Sequence, residues 1–317
     1  MKLRVKALLA GLATYVPGYD YRHGTGGTDS ARYCYSVWLR HLVLAQRAGA
    51  LPAIPRDVAE LGPGDSIGIG LMALLTGAES YSALDVVPYG NLGQNLAIFD
   101  ELLALLRARA PIPGESDFPG MKPDVADLAF PAALLEAGLE AALSEERVRS
   151  IRWSVANVSA PESRIRYRAP WTSPAVLESA SVDYLFSQAV LEHIDDLDTV
   201  YAAMRRWLRP GGVMTHQVDY RSHGKADTWD GHWTYSNAAW RLVVGRRPYL
   251  LNRVTHSGQM RRLAAAGFEV LGETVYRAPS HVRRAALAPH LRDIPDDDLT
   301  ACGAFVVARA PRSGAMS

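Results

Sequence analysis

The stretch "AELGPGDSIGIG", residues 59–70, places an acid and two closely spaced glycines directly after a short apolar run. The lead-in "DVAELG" predicts a β-strand, and "SIGIGLMALLTGA" predicts the helix that follows it. Gly62 and Gly64 therefore lie at a strand-to-helix turn, where residues without a Cβ let a ligand approach the backbone. An ordinary loop in an alanine- and leucine-rich protein is the alternative interpretation.

Strands and helices alternate along most of the chain. "YSALDVV" predicts a second buried strand ending at Asp85, which completes a β-α-β unit. Further strands are predicted in "RIRYRA", "SVDYLFSQAV", "VMTHQVDY", "FEVLGETVY" and "GAFVVARA". We predict an α/β protein with a Rossmann-like, doubly wound, seven-stranded parallel sheet that is covered by helices on both faces.

Two departures from this alternation set the predicted domain organisation. Residues 1–50 predict an N-terminal helical extension, whose "GTGGTDSARY" segment could fold as a lid with Arg32 and Tyr33 facing a ligand. A flexible linker is the alternative for that segment. Residues 51–317 predict the main domain, with a helical insertion at about 89–160.

Several residues mark predicted helix ends in the sequence. Ser30 or Asp29 can cap the helix that ends near Gly49, and Ser236 and Ser257 can cap two later helices. "LEHIDDLDTVYAAMRRWLRPGG" predicts a helix that is stopped by Pro210 and the glycine pair.

The composition limits the classes of function. The chain has 317 residues, 48% hydrophobic residues and a formal net charge of +1, which favours one large folded domain and disfavours nucleic-acid binding. Cys34 and Cys302 are expected as free buried thiols in a reducing compartment. The basic, briefly apolar amino end predicts an amphipathic helix in preference to an export signal, and no segment approaches transmembrane length. We predict a soluble cytoplasmic protein without a membrane span, and the composition allows a homodimer.

Asp85 points to a nucleoside ligand. It ends the second strand about twenty residues after the glycine turn, where a carboxylate can accept hydrogen bonds from both ribose hydroxyls. A nicotinamide-binding fingerprint would require a glycine at the position of Ile67, so a dinucleotide dehydrogenase is disfavoured. A solvated acid at a strand end is the alternative for Asp85.

The ordered set "ELGPGDS", "ALDV", "VDYLFSQAVLEHIDDLDTVYAAMRRWLRPGGVMTHQVD" and the closing strands resembles the class I S-adenosylmethionine-dependent methyltransferases. The resemblance covers about residues 56–88 and 165–310, and there is a looser likeness to methyltransferases found beside bacterial polysaccharide genes. It implies S-adenosyl-L-methionine as cofactor, with the glycine turn on the methionine side and the second strand's acid on the ribose. The implied cofactor-binding residues are Glu60, Gly62, Pro63, Gly64, Ser66, Asp85, Val86, Trp171, Ser187 and Gln188.

Three features depart from the family pattern. Ser66 stands where many members have a third glycine, and "APW" (residues 169–171) replaces the usual acid or amide near the adenine. The insertion after Asp85 is also unusually long.

The segment "HQVDYRSHGKADTWDGHW", residues 216–233, supplies the candidate catalytic groups. It follows the fifth strand, where the methyl acceptor is expected, and a hydroxyl acceptor requires a base to remove its proton. We predict His223, His216 and Asp219 as catalytic, with a buried, hydrogen-bonded role as the alternative for His216. No metal site is predicted, because the spacing of Asp219 and His223 is not diagnostic.

Aromatic residues in the same segment allow two interpretations. Trp229, Trp233 and Tyr235 could stack on a sugar ring or could close the core. The leading functional hypothesis is O-methylation of a small-molecule or sugar/glycan hydroxyl. The alternatives are N-methylation of a small molecule and non-catalytic S-adenosylmethionine binding.

Overall fold

A computed structural model describes residues 4–18, 27–86, 92–171 and 173–312. Seven strands form one sheet in the order β3-β2-β1-β4-β5-β7-β6. The strands are β1 (Asp57–Leu61), β2 (Ser80–Leu84), β3 (Ile165–Arg168), β4 (Val182–Gln188), β5 (Leu208–Asp219), β6 (Glu269–Arg277) and β7 (Ala301–Arg309). The predicted Rossmann-like α/β fold with seven strands is therefore confirmed.

The sheet is mixed, so the prediction of an all-parallel sheet is wrong for its last strand. β1 to β5 pair in parallel, whereas β7 is antiparallel to both β5 and β6. A parallel pair requires a crossover connection, usually a helix. The described segment 278–300 between β6 and β7 contains only short 3-10 turns, so β7 returns antiparallel.

Nine α-helices are present among the described residues, and they cover both faces of the sheet. They are α1 (Val5–Ala13), α2 (Ala31–Arg47), α3 (Gly68–Leu75), α4 (Leu92–Arg107), α5 (Ala132–Ala142), α6 (Glu145–Ala156), α7 (Leu197–Trp207), α8 (Asn237–Val244) and α9 (His256–Ala265). Alternate residues of β4 face opposite sides: Tyr184 and Phe186 pack in the core under α2 to α6, and Leu185 packs in the core under α7 and α9. Among the described residues, no helix is long and apolar enough to cross a membrane.

The predicted helix caps have different outcomes. Ser30 and Ser236 each accept a hydrogen bond from a backbone N–H in the first turn of α2 and α8, which confirms both. Ser257 lies inside the first turn of α9 and donates its hydroxyl proton to Asp298 at 2.6 Å, so it is not the N-cap. Thr255 stands at that position.

The helix predicted from "LEHIDD" onward is shorter at both ends. α7 begins after Asp196, whose carboxylate accepts from Thr199 N at 3.0 Å. It ends at Trp207, and Leu208 already has extended backbone geometry, so Pro210 lies within β5 and does not stop the helix.

The amino-terminal extension contributes to the main core. Most of α2 is buried; the Trp38 indole N–H donates to Thr76 on α3, and the His41 ring bonds to Thr215 on β5. Residues 24–26 of the predicted lid lie outside the described residues. From its described part, the Thr28 hydroxyl donates to the Pro63 carbonyl at 2.8 Å, so this segment contacts the glycine turn.

The sheet order reverses between β1 and β4. In open α/β sheets, ligands bind beyond the carboxyl ends of the strands at such a switch point. The glycine turn follows β1, and the segment from Gln188 onward follows β4. The predicted site residues therefore gather at this edge of the sheet.

Candidate active site

The turn after β1 requires glycine at both predicted positions. Gly62 has φ +65° and Gly64 has φ +75°, a left-handed conformation that other residues rarely adopt. A Cβ on Gly62 would lie 2.6 Å from a methyl carbon of Val190, which follows β4. The turn therefore brings two backbone segments into contact at the switch point.

Asp85 joins the end of β2 to this turn. It is buried, its Oδ2 accepts from Gly64 N at 3.3 Å, and its Oδ1 accepts from Val86 N at 2.6 Å. Trp171 N donates to the Asp85 carbonyl at 3.0 Å, which holds the segment after β3 beside the same carboxylate.

A cavity of about 300 Å³ opens here, and we name it the β1/β4 cavity. Its walls are largely apolar and include Leu61, Leu84, Val86, Trp171, Val190 and Ile194. Gly62 and Asp85 also line it. Apolar walls for a flat base, a carboxylate for a sugar diol and a turn without side chains fit the nucleoside part of S-adenosylmethionine.

Three of the predicted cofactor-binding residues lie behind this cavity. Glu60, Ser66 and Ser187 are each at most 1% exposed. The Ser66 hydroxyl donates to the Thr28 carbonyl, and the Ser187 hydroxyl pairs with His216 Nδ1 at 2.8 Å. Their contacts hold the turn and the end of β4 in place.

Glu60 has a strongly perturbed carboxyl group. It accepts a hydrogen bond from the Tyr81 hydroxyl, yet burial raises the pKa of Glu60 to about 8. The unfolded chain loses this proton near the ordinary carboxyl pKa, so between about pH 4.5 and 8 the folded state binds more protons. Its contribution to stability therefore falls as the pH rises through that window.

We expect Glu60→Gln to stabilise the protein at pH 8, because a neutral amide keeps the acceptor for Tyr81 without a charge to bury. A gain of about 2 kcal/mol would raise the Tm by about 5 °C for a chain of this size. Thermal unfolding from pH 5 to 8 would show a flatter profile than the parent, while the exposed Glu79→Gln variant should keep the parental profile. A lower Tm of Glu60→Gln at pH 8 would contradict this prediction.

A second cavity of about 400 Å³ lies beyond the ends of β4 and β5, and we name it the insertion cavity. The loop 117–122 of the helical insertion forms one wall, and the side opposite carries Gln188, Gln217 and Asp219. Tyr33 and Arg221 also line this cavity. Most of these groups are polar or charged, in contrast to the β1/β4 cavity.

Gln188 connects the sheet to the insertion. Its Oε1 accepts from His41 Nε2 at 3.0 Å, and its Nε2 donates to the Lys122 carbonyl at 2.7 Å. Burial lowers the pKa of His41 to about 4, so the ring is neutral at pH 7. This chain of bonds from α2 fixes the loop that closes the insertion cavity.

Asp219 and His223 form a hydrogen-bonded pair where β5 ends. His223 Nε2 lies 3.2 Å from Asp219 Oδ2, and His223 has φ +44°, an uncommon conformation for a residue other than glycine. Burial alone would raise the pKa of Asp219, but the bond from His223 and the nearby Arg221 hold it below its ordinary value. Beneath the pair, Asp219 N donates to the buried Glu192 carboxyl at 3.3 Å.

The pair lies between the two cavities. Asp219 lines the insertion cavity, and the His223 ring is 5.3 Å from the ring of His193, which lines the β1/β4 cavity. His193 Nδ1 donates to the Leu250 carbonyl at 2.7 Å, so its ring orientation is fixed. Asp219 thus lines the insertion cavity directly, whereas the His223 ring lines neither named cavity and lies beside His193.

The other candidates of this segment are buried or half-buried. His216 is 1% exposed and bonds to Ser187, and burial lowers the pKa of His216 to about 3. Trp233 and Tyr235 are also buried, and the Trp229 indole N–H donates to the Pro279 carbonyl. These aromatic residues pack in the cores of the protein and belong to the lining of neither named cavity.

Sequence reasoning missed the insertion loop as a site element. Asp117 and Lys122 come from "PIPGESDFPGMKPD", whose glycines and prolines indicated only a loop. Its length and its charged residues were the available signal, because long ordered loops are often functional. Within the part of the chain that the structure describes, no group of three or more His, Cys, Asp or Glu side chains could hold a metal ion.

Comparison with known proteins gives one family match. Residues 143–215, from α6 to β5, match the family described as methyltransferase domain. Malonyl-[acyl-carrier protein] O-methyltransferase from Xylella fastidiosa is 32% identical over 101 residues, which cover 27% of this chain and 34% of that protein. The match therefore spans about a third of the length of this curated relative.

Solved structures of methyltransferases are similar over most of the chain. An S-adenosylmethionine-dependent methyltransferase from Mesorhizobium loti is 16% identical, covering 84% of this chain and 96% of that one with a TM-score of 0.40. One from Methanosarcina mazei is 11% identical, covering 84% and 97% with a TM-score of 0.43. The strand order and pairing described above define the fold of this chain.

Proposed function

We propose that this chain is a class I S-adenosylmethionine-dependent methyltransferase and that it transfers a methyl group to a hydroxyl oxygen of a polar small molecule or a sugar. The methyltransferase domain match over residues 143–215 and the Rossmann-like sheet support this family, and with it S-adenosylmethionine as cofactor. The observation that carries the proposal on the acceptor is the Asp219–His223 pair between an apolar cavity and a polar one.

Bound S-adenosylmethionine supplies a methyl group that is activated by a positively charged sulfur. In this chain, Asp85 would accept hydrogen bonds from the ribose hydroxyls, and Gly62 and Gly64 would allow close backbone approach. The walls around Trp171 and Val190 would exclude water, which protects the reactive group and aligns the reactants.

The hydroxyl acceptor would lie in the insertion cavity. His223 would donate through Nε2 to Asp219 and hold the acceptor's proton at Nδ1. Asp219 orients the ring and stabilises the imidazolium. The amides of Gln188 and Gln217 and the charged ends of Lys122 and Arg221 suit an acceptor with several hydroxyl groups.

Amines and carboxylates are the alternative methyl acceptors. An amine is nucleophilic without a base, so N-methylation would leave the Asp219–His223 pair without this role. The relative from Xylella fastidiosa is named for O-methylation of a malonyl group on a carrier protein. Lys122 and Arg221 in the insertion cavity favour a carboxylate as a second candidate acceptor.

Calorimetry with S-adenosylmethionine and S-adenosylhomocysteine tests the cofactor step, and release of S-adenosylhomocysteine tests turnover. We expect binding of both ligands and turnover with a polyhydroxylated acceptor from a panel that also contains amines and acyl carboxylates. Binding without turnover on any panel member would favour a non-catalytic binding protein. Turnover confined to amines would replace the hydroxyl acceptor by the N-methylation alternative.

A further inference from the structure

Helix α1 presents large apolar side chains to solvent. Val5, Leu9, Leu12 and Val16 are 66%, 59%, 41% and 60% exposed. Their spacing of four, three and four residues places them on one side of the helix and of the turn that extends it. The outward face of a surface helix is normally polar, so this pattern is inverted.

The inward face of α1 carries small residues instead. Ala7 and Gly11 are buried against α8, and a Cβ on Gly11 would lie 2.0 Å from the Leu242 carbonyl oxygen. The close approach of the two helices requires glycine at this position. The helix therefore cannot rotate to bury its large side chains without losing this contact.

The exposed apolar side chains are concentrated on one surface. Of the ten large apolar side chains that are exposed among the described residues, seven lie on α1, α8 and the segments that follow them. We name this the α1–α8 surface; its apolar members are Val5, Leu9, Leu12, Tyr15, Val16, Leu242 and Tyr249.

The same surface is mainly cationic, although Arg4 pairs with the exposed Asp227 at 3.7 Å and Arg247 is buried. Segments 4–18 and 236–250 contain five arginine and lysine residues and no aspartate or glutamate. Lys6, Arg241 and Arg246 are exposed, and the Arg246 guanidinium lies 5.0 Å from the centre of the Tyr15 ring. An apolar stripe flanked by cations is the pattern of helices that lie in the interface of an anionic membrane.

We propose that the α1–α8 surface binds an anionic phospholipid bilayer, with α1 lying in the headgroup region and its apolar face toward the acyl chains. Transfer of the aliphatic side chains out of water lowers the free energy of binding, and so does the approach of the cations to the lipid phosphates. A second copy of this chain fits the surface poorly, because a two-fold interface would bring these cations against one another.

This surface adjoins the candidate active site. Tyr249 is 40% exposed and belongs to the α1–α8 surface, and it also lines the β1/β4 cavity. Its carbonyl accepts a hydrogen bond from His193 at 3.0 Å.

Sedimentation of the full chain with vesicles tests the proposal without cofactor or acceptor, so its outcome is independent of the proposed function. We expect binding to vesicles that contain phosphatidylglycerol, much weaker binding to pure phosphatidylcholine, and release at high salt. The Leu9→Asp/Leu12→Asp variant should lose at least about ten-fold in binding, because two leucines that would enter the bilayer are replaced by charges. Val270→Asp, at a similarly exposed apolar position on β6, should bind as the parent does.

Two results would overturn the proposal. One is a folded parent, verified by its Tm, that does not sediment with phosphatidylglycerol vesicles or binds neutral vesicles equally well. The other is a dimer in sedimentation velocity that the leucine variant converts to a monomer, since a second copy would then cover the surface.

Discussion

Asp85→Ala will weaken S-adenosylmethionine binding by about 100-fold or more in calorimetry. The carboxylate would accept two hydrogen bonds from the ribose, and each bond to a charged group contributes about 1.5–3 kcal/mol. Asp85 also accepts from Gly64 N, so its loss releases the turn that must approach the cofactor. Asp85→Asn keeps one acceptor oxygen, and we expect it to lose about ten-fold.

Asp57→Asn is the matched control for this prediction. Asp57 is also a strand-end acid, but it begins β1 at the opposite edge of the sheet, where it pairs with Arg209 at 2.9 Å. Arg209 also pairs with Asp183, so the substitution leaves the arginine partnered. We expect parental affinity from this variant. If a folded Asp85→Ala protein binds S-adenosylmethionine as tightly as the parent does, Asp85 does not contact the cofactor.

The glycine turn and Asp85 could be predicted because their signals are local in sequence. A turn that needs Gly62 and Gly64 depends on a few adjacent dihedral angles, and Asp85 follows from the position where a strand ends. Val190 could not be predicted as the residue against Gly62, because it follows β4 and meets the turn only when the sheet has formed. The same holds for the loop 117–122, which reaches β4 through Gln188.

The sequence also did not predict which face of β5 each side chain occupies. Both faces of the sheet are covered by helices, so β5 has no alternation of polar and apolar residues that would tell His216 from a cleft residue. The sequence therefore left both a catalytic and a buried role open for His216, and the structure shows it buried against Ser187. The antiparallel direction of β7 could have been predicted, because the sequence between the last two strands has no helical pattern.

The second large effect is expected at the Asp219–His223 pair. His223→Gln should lower kcat on a hydroxyl acceptor by about 100- to 1,000-fold, because a positioned base contributes that much to proton removal. Asp219→Asn should lower kcat nearly as much, since it loses the carboxylate that orients the ring and balances its charge. Both variants should bind S-adenosylmethionine with parental affinity, because neither residue lines the β1/β4 cavity.

The size of the loss in kcat depends on whether the acceptor is a hydroxyl group or an amine. A neutral amine needs no base to become nucleophilic, so His223→Gln should keep most of its turnover if the acceptor is an amine. His290→Gln, at an exposed histidine in the loop before β7, is the matched control and should keep the parental kcat. Full turnover of both the His223→Gln and Asp219→Asn variants on a hydroxyl acceptor would show that the pair is not the base. The proton would then have to leave through another group of the insertion cavity, for which Tyr33 is a poor candidate because burial raises its pKa to about 12.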